Sequence, residues 1–363
     1  MKPGEQTTAD APEAPRLAGA KPRSLRRAII TRLLFFFVTL ITLYILGPGL
    51  LAVFSAFPKL LKINPVWFLV LVILEGASFL SAWALQRLAL RTQGWFGVAT
   101  AQLTGNAVSR VVPGGVAAGS AVQYRMLVQS GVDPAQVGAG LTAAGLISTG
   151  TLLALPLLSL PAVLAGLQVP RGLAQAAWLG LGVFVLAFSA GAVLVTSDAA
   201  LRLVGRCVQW LKHRLRPGHQ RNHPAVRSDL SDRLIAQRDA LLTVLGKRWW
   251  LALVASLGNW LFDYLALLAV LTAVGVHPRP TLVLLAYSAS MVLGMIPITP
   301  GGLGFVEAGL VGLLTLAGVA ASVASIAVLA YRLVSYWLPL PAGAVAAVLH
   351  RRRYGGRPAI EAT

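Results

Sequence analysis

Six ionisable side chains interrupt stretches that are otherwise apolar: Glu75, Arg110, Arg125, Asp263, Glu307 and Arg332. An ionised side chain at the centre of an apolar helix costs on the order of 2.5–3.5 kcal/mol on insertion scales, so such residues mark ion pairs or a polar site. Three are acidic and three basic. That balance favours pairing, with Glu307 matched to Arg332 and Glu75 to Arg110, while free guanidinium donors suit a phosphate. No His–carboxylate set at metal-ligand spacing and no nucleophile–base pair accompanies them, so the chemistry expected is binding, with no enzyme activity, metal or cofactor. His213, His219 and His223 lie together in a basic loop without a carboxylate cluster and read as solvated.

Two breaks in the apolar pattern sit beside these charges. One is Pro113-Gly114-Gly115, three residues after Arg110; the other is Pro300-Gly301-Gly302, inside the stretch Ser290 to Glu307. Irregular backbone at membrane depth is tolerated only where protein or a polar cavity surrounds it. The arms that resume at Val116 and Leu303 would point helix N-termini, with their unsatisfied N–H groups, toward an anion.

The elements that must position these residues follow from composition. The chain has 363 residues, 56% hydrophobic and 12% charged, with a mean hydropathy of +0.73, which defines an all-α polytopic membrane protein. The formal charge of +19 would suit nucleic acid. Its concentration at the chain ends and in one loop instead writes membrane topology, and no nucleic-acid partner is expected. The single Cys207 excludes an intrachain disulfide.

Residues 1–32 read as a disordered basic arm and 33–54 as the first span, too long and without the cleavage site of a signal peptide. Val66 to Leu85 is the second span. Trp95 to Val112 and Val116 to Gln129 are each short for a ~30 Å core at ~1.5 Å per residue, so they form a re-entrant hairpin. Asp133-Pro134 caps a third span to Leu160, bent by Pro156. Leu173 to Thr196 is the fourth span, and 197–248 is a basic loop whose leucine and valine spacing predicts two amphipathic helices on anionic headgroups. Trp249 to Val274, a second hairpin (Thr281 to Ile296, Leu303 to Gly318), Ser322 to Leu349 and a basic tail at 350–363 complete the chain. The expectation is about six full spans plus two re-entrant hairpins, or eight transmembrane helices if the hairpins are counted differently. Outside the spans, only Lys59, Lys62, Arg171 and Arg279 fall on the side opposite the other basic residues, which places both termini in the cytoplasm.

The halves keep register: 187 residues separate Pro113 from Pro300, and 188 separate Glu75 from Asp263. Residues 33–196 and 249–349, the second taking the 173–196 span as its first helix, form an inverted-topology repeat whose hairpin tips meet near the midplane. Counting along each span puts Glu75 about 14 Å and Arg332 about 15 Å deep. Asp263 comes out somewhat further outward, and Arg125 toward the cytoplasmic mouth.

Asn106-x-x-x-Arg110-x-x-Pro-Gly-Gly, then Tyr124-Arg125-Met-Leu, then Ile296-Pro-x-x-Pro-Gly-Gly-Leu-Gly-x-x-Glu307 and Tyr331-Arg332-Leu-x-x-Tyr336 together resemble the flippase-like membrane domain of lysylphosphatidylglycerol synthetases. The resemblance covers about 33–349, and its second motif with the later Tyr-Arg is the specific part. It implies a bacterial inner-membrane protein that moves a membrane phospholipid, aminoacylated or otherwise lipid-linked, between leaflets; a homo-oligomer is compatible with it. Two departures stand out. No aminoacyltransferase domain follows the last span, so synthesis by this chain is not expected, and Gly-Gly-Val-Ala-Ala-Gly in the first motif lacks a charged residue that many relatives carry. An accessory protein that recruits an envelope enzyme through its basic loop is the alternative.

Overall fold

The computed structural model describes residues 64–112, 115–199, 202–203, 249–295 and 302–355. All belong to the unit running from Thr42 to Thr363. The expected arm, first span, tail after 355, loop histidines and amphipathic helices lie outside these residues, as do Pro113, Gly114, Pro300 and Gly301.

Every regular element among the described residues is helical: α1 (Pro65–Ala89), α2 (Trp95–Val111), α3 (Gly115–Gln129), α4 (Pro134–Ala154), α5 (Leu160–Leu164), α6 (Arg171–Thr196), α7 (Trp249–Ala273), α8 (Pro280–Leu293), α9 (Phe305–Leu316), α10 (Ala321–Arg332) and α11 (Pro339–Tyr354). Four stretches are long and apolar enough to cross a bilayer: Pro65–Ala89, Pro134–Leu164, Trp249–Ala273 and Ala321–Tyr354. At ~1.5 Å per residue, α2, α3, α8 and α9 each fall short of a ~30 Å core, as expected for hairpin arms. Large apolar side chains such as Leu69, Ile73, Leu80, Trp178 and Leu186 are exposed, which water would penalise and lipid does not.

Local chemistry accounts for the element ends. The Asn64 side chain accepts from the Val66 N–H at 3.0 Å and Asp133 accepts from the Gln136 N–H at 3.0 Å. Each cap precedes a proline at the first helical position, where the missing N–H has no intrahelical partner to lose. Pro156 falls in a 3-10 segment, Leu155–Ser159, that joins α4 to α5. The last span is less regular than its hydropathy suggests. Between α10 and α11 lies a π-helical segment, Leu333–Trp337, in which the Leu338 N–H bonds the Leu333 carbonyl at 3.1 Å. Pro339 explains it, because proline offers no N–H to Ser335 and its ring crowds that carbonyl, so the backbone widens by one residue.

Three close helix contacts build the frame. Antiparallel α1 and α7 meet through Ser81 and Gly258, where an added Cβ would lie 3.0 Å from the serine oxygen, and through Ser78, whose hydroxyl donates to the Asn259 carbonyl at 2.9 Å. The α2–α3 hairpin is so tight that a Cβ on Gly119 would overlap the Gly105 carbonyl. Helix α11 lies on α2, where a Cβ on Gly343 would come within 2.6 Å of the Leu103 carbonyl; small residues at such crossings let backbones approach. His350 fastens the same contact, with Nδ1 2.7 Å from Thr100 Oγ1 and Nε2 3.0 Å from the Met126 carbonyl. The main apolar core joins α7, α8, α9 and α10, and a smaller one sits beneath the first hairpin.

The second hairpin differs from expectation at its tip. Gly302 and Gly304 take φ of +72° and +78°, and the helix begins at Phe305. Residues other than glycine rarely adopt that conformation, so the chain turns before it coils and Leu303 lies in the turn.

Candidate functional site

Between these elements lies a cavity of about 460 Å³. Its walls come from α1, α2, α3, α4, α7, the end of α8, α10 and the π segment. Glu75, Asp263, Arg110 and Arg332 all face it. Four of the six charged residues singled out by sequence therefore converge on one space.

The register of α1 against α7 fixes the acidic side. One turn beyond the Ser78–Asn259 contact, Glu75 on α1 and Asp263 on α7 face the same cavity. Asp263 is held from two further helices: the Tyr287 hydroxyl donates to Oδ2 at 2.5 Å, and the Tyr331 hydroxyl lies 2.9 Å from both oxygens. Glu75 is 5% exposed, and its Oε1 has no hydrogen-bond partner.

The basic side is organised by the π segment. Arg110 Nη1 donates to the Tyr336 carbonyl at 2.5 Å, and the Tyr336 hydroxyl returns a bond to the Arg110 carbonyl at 3.2 Å. The guanidinium carbon of Arg110 lies 4.9 Å from the Tyr336 ring centre and that of Arg332 lies 5.4 Å from it. One ring thus serves two cations. Arg110 therefore turns to Tyr336 in place of the expected ion pair with Glu75. The other expected pair is present: Arg332 Nε stands 2.9 Å from Glu307 Oε1. Arg332 Nη2 and Ser335 Oγ are buried without partners beside the cavity.

Not every candidate reaches the cavity. Glu307 is not in its wall and acts on it through Arg332. Arg125 is exposed on α3, Gly115 opens that helix, and Gly302 forms the second hairpin's turn. Sequence reasoning missed Tyr287, which carries no local signal, since a tyrosine in an apolar run ordinarily reads as packing. It also missed the amide rim formed by Gln102 and by Gln123, whose Nε2 donates to Gln86 Oε1 at 2.8 Å.

Fold and site together define a multi-pass α-helical integral membrane protein with a charged cavity among its helices. The family model described as the lysylphosphatidylglycerol synthase TM region matches residues 29–343, and the chain belongs to that family. It is also similar to proteins of Methanothermobacter thermautotrophicus described as UPF0104 membrane proteins. One match is 26% identical over 315 residues, covering 84% of this chain and 89% of the relative. Another is 35% identical over 98 residues, and there the chain spans only 28% of the relative's length.

Proposed function

We propose that the protein moves a phosphate-containing lipid between the leaflets of a bacterial inner membrane, with the headgroup passing through the charged cavity and the acyl chains remaining in the bilayer. The observation that carries this reading is the set of unsatisfied groups around one cavity of about 460 Å³: Arg332 Nη2, Ser335 Oγ and Glu75 Oε1. Buried polar groups without partners are costly, and in lipid nothing but a ligand or water can satisfy them. Arg110 and Arg332 would hold the phosphate, and Glu75 and Asp263 a polar or cationic part of the headgroup. Glu307 would keep Arg332 aimed.

The arrangement of helices supports an inverted repeat. Helices α1 and α7 occupy corresponding places in the two halves and pack antiparallel on each other, as a two-fold relation between Glu75 and Asp263 would require. Each half then adds a short-armed hairpin, α2–α3 or α8–α9. Rocking of one half against the other would expose the cavity to alternate leaflets. Both termini and the basic loop lie on the cytoplasmic side in this reading, where they would meet anionic headgroups.

Reconstitution into liposomes with labelled lipids in one leaflet tests the proposal. Movement of an anionic, aminoacylated or polyprenyl lipid is expected, with loss in Arg110→Ala. Absence of movement for all three classes would sink it. Arg332→Ala separates this from an accessory role: lost movement in a folded, well-expressed protein supports transport, while movement at the wild-type rate overturns the assignment of the phosphate site.

A further inference from the structure

The wall of the charged cavity changes character along its length. It runs along α1 from Glu75 to Gln86 and along α2 from Arg110 back to Gln102, which at ~1.5 Å per residue is about 16 Å and about 12 Å of helix. A short turn joins the end of α1 to the start of α2, so both runs lead toward that turn. The four charged residues of the wall stand at the far end. Among the described residues, the end nearer the turn is lined by Gln86, Gln102, Asn106, Ser120 and Gln123, with no carboxylate or cation between them.

A side-chain amide offers both a donor and an acceptor, and so does a hydroxyl, so a group of amides matches a group of hydroxyls. Gln123 Nε2 donates to Gln86 Oε1 at 2.8 Å, which aligns the two amides and leaves the Gln86 nitrogen to donate and the Gln123 oxygen to accept. Gln102 Oε1 is buried without a partner, as is Glu75 Oε1 at the charged end. Both oxygens call for a donor from a ligand. An ammonium brings one, but the amide end has no negative charge to offset the desolvation of a cation, and a hydroxyl needs none. Phe79, one turn from Glu75 on the same wall, adds the apolar face that the C–H side of a ring covers. The ~12 Å of α2 between Arg110 and Gln102 favours a ring over a three-carbon glycerol.

We propose that the headgroup taken by this cavity carries an uncharged ring of hydroxyls, a sugar or a cyclitol, on its phosphate. The phosphate lies on Arg110 and Arg332, and the ring extends toward the α1–α2 turn, where its hydroxyls donate to Gln102 Oε1 and exchange hydrogen bonds with Gln86, Asn106 and Gln123. The inference rests on the reading that the cavity takes a phosphate-containing headgroup, and it names the part of that headgroup beyond the phosphate. The ring belongs either to a glycosylated phosphoryl polyprenol or to an inositol phospholipid.

Full-length protein in liposomes with labelled lipids tests this. Phosphatidylinositol presents the cyclitol and a mannosyl phosphoryl polyprenol the sugar. Each is compared with the methyl phosphodiester on the same tails, and phosphatidylglycerol presents the short diol. At least one ring lipid is expected to move about tenfold faster than its methyl counterpart and than phosphatidylglycerol, because a site built to bond hydroxyls rejects a ligand that lacks them; which ring lipid does so names the source. Gln102→Leu should lose most of that preference. Movement of the methyl lipids or of phosphatidylglycerol as fast as the ring lipids, or a preference that survives in Gln102→Leu, overturns the proposal. If the variant fails to fold, the wild-type ranking of the lipids decides. Binding of the same lipids in detergent, read by native mass spectrometry, separates the two failures. Movement without preference sinks the ring and leaves the transport reading standing. Preferential binding of a ring lipid without movement sinks transport and leaves the ring, and equal binding without movement sinks both.

Discussion

The two hairpins share a Pro-Gly-Gly signature and face opposite kinds of space. The first, α2–α3, lines the charged cavity with Gln102, Asn106, Arg110, Ser120 and Gln123. The second, α8–α9, lines an apolar cavity of about 490 Å³ with residues such as Val292, Leu293, Ala308 and Gly312. Each sends a single charge to the last span: Arg110 to the carbonyl of Tyr336, and Glu307 to the guanidinium of Arg332. The lesson is that the tripeptide specifies a break in the helix, while the residues one and two turns away decide what the break serves. On the proposed reading, the first hairpin would recognise the headgroup and the second would position Arg332 to do so.

The largest test of that division is Arg332→Ala. It leaves Glu307, with its side chain 19% exposed, facing the protein interior without its cation, and breaking a buried pair from one side costs about 3–5 kcal/mol. A marked drop in the detergent melting temperature is expected, with partial recovery in the double variant Arg332→Ala/Glu307→Ala. Recovery follows because the orphaned charge, more than the lost attraction, carries the cost. A double variant no more stable than Arg332→Ala would mean that Glu307 is solvated and the second hairpin does not position Arg332.

Next in size is Tyr331→Phe. The Tyr331 hydroxyl lies 2.9 Å from both oxygens of Asp263, and a hydrogen bond to a charged acceptor contributes about 1.5–3 kcal/mol. A loss in that range is expected from denaturation curves, and a similar one from Tyr287→Phe. The two should be less than additive when combined, since they share one acceptor. Full additivity would mean that Asp263 is not the common partner.

How much of this was legible in the sequence depends on whether a feature is local. The cap at Asp133 and the shortness of the hairpin arms follow from residue type and apolar run length. The Glu307–Arg332 pair followed from charge balance and the second motif. The facing of Asp263 and Glu75 on one cavity did not, because only the contacts of Ser78 and Ser81 set the register of α1 against α7. Nor did Tyr287, whose role exists only because α8 crosses α7 beside Asp263. The π segment was half legible: Pro339 announces a disturbed helix, but a kink and a widened turn share that signal. The start of α9 at Phe305 needed the backbone angles of Gly302 and Gly304, since glycine permits a left-handed turn without demanding one.

The glycines of the two hairpins give the finest version of the comparison. At Gly119 in the first, an added Cβ would overlap the Gly105 carbonyl, with Ser109 Cβ at 2.8 Å, so Gly119→Ala must push α2 and α3 apart and costs about 1–3 kcal/mol. At Gly312 in the second, nothing lies within 4 Å of an added Cβ. Gly312→Ala then gains helix propensity of up to about 1 kcal/mol, with no clash to offset it. Melting temperatures of the two variants should therefore diverge, the first moving down and the second staying flat or rising slightly. Lipid movement should fall for Gly119→Ala, because spreading α2 from α3 displaces Arg110 and Gln123, and stay at the wild-type rate for Gly312→Ala. A stable Gly312→Ala protein with impaired movement would show that the apolar cavity it lines takes part in handling the lipid, and that the second hairpin does more than aim Arg332.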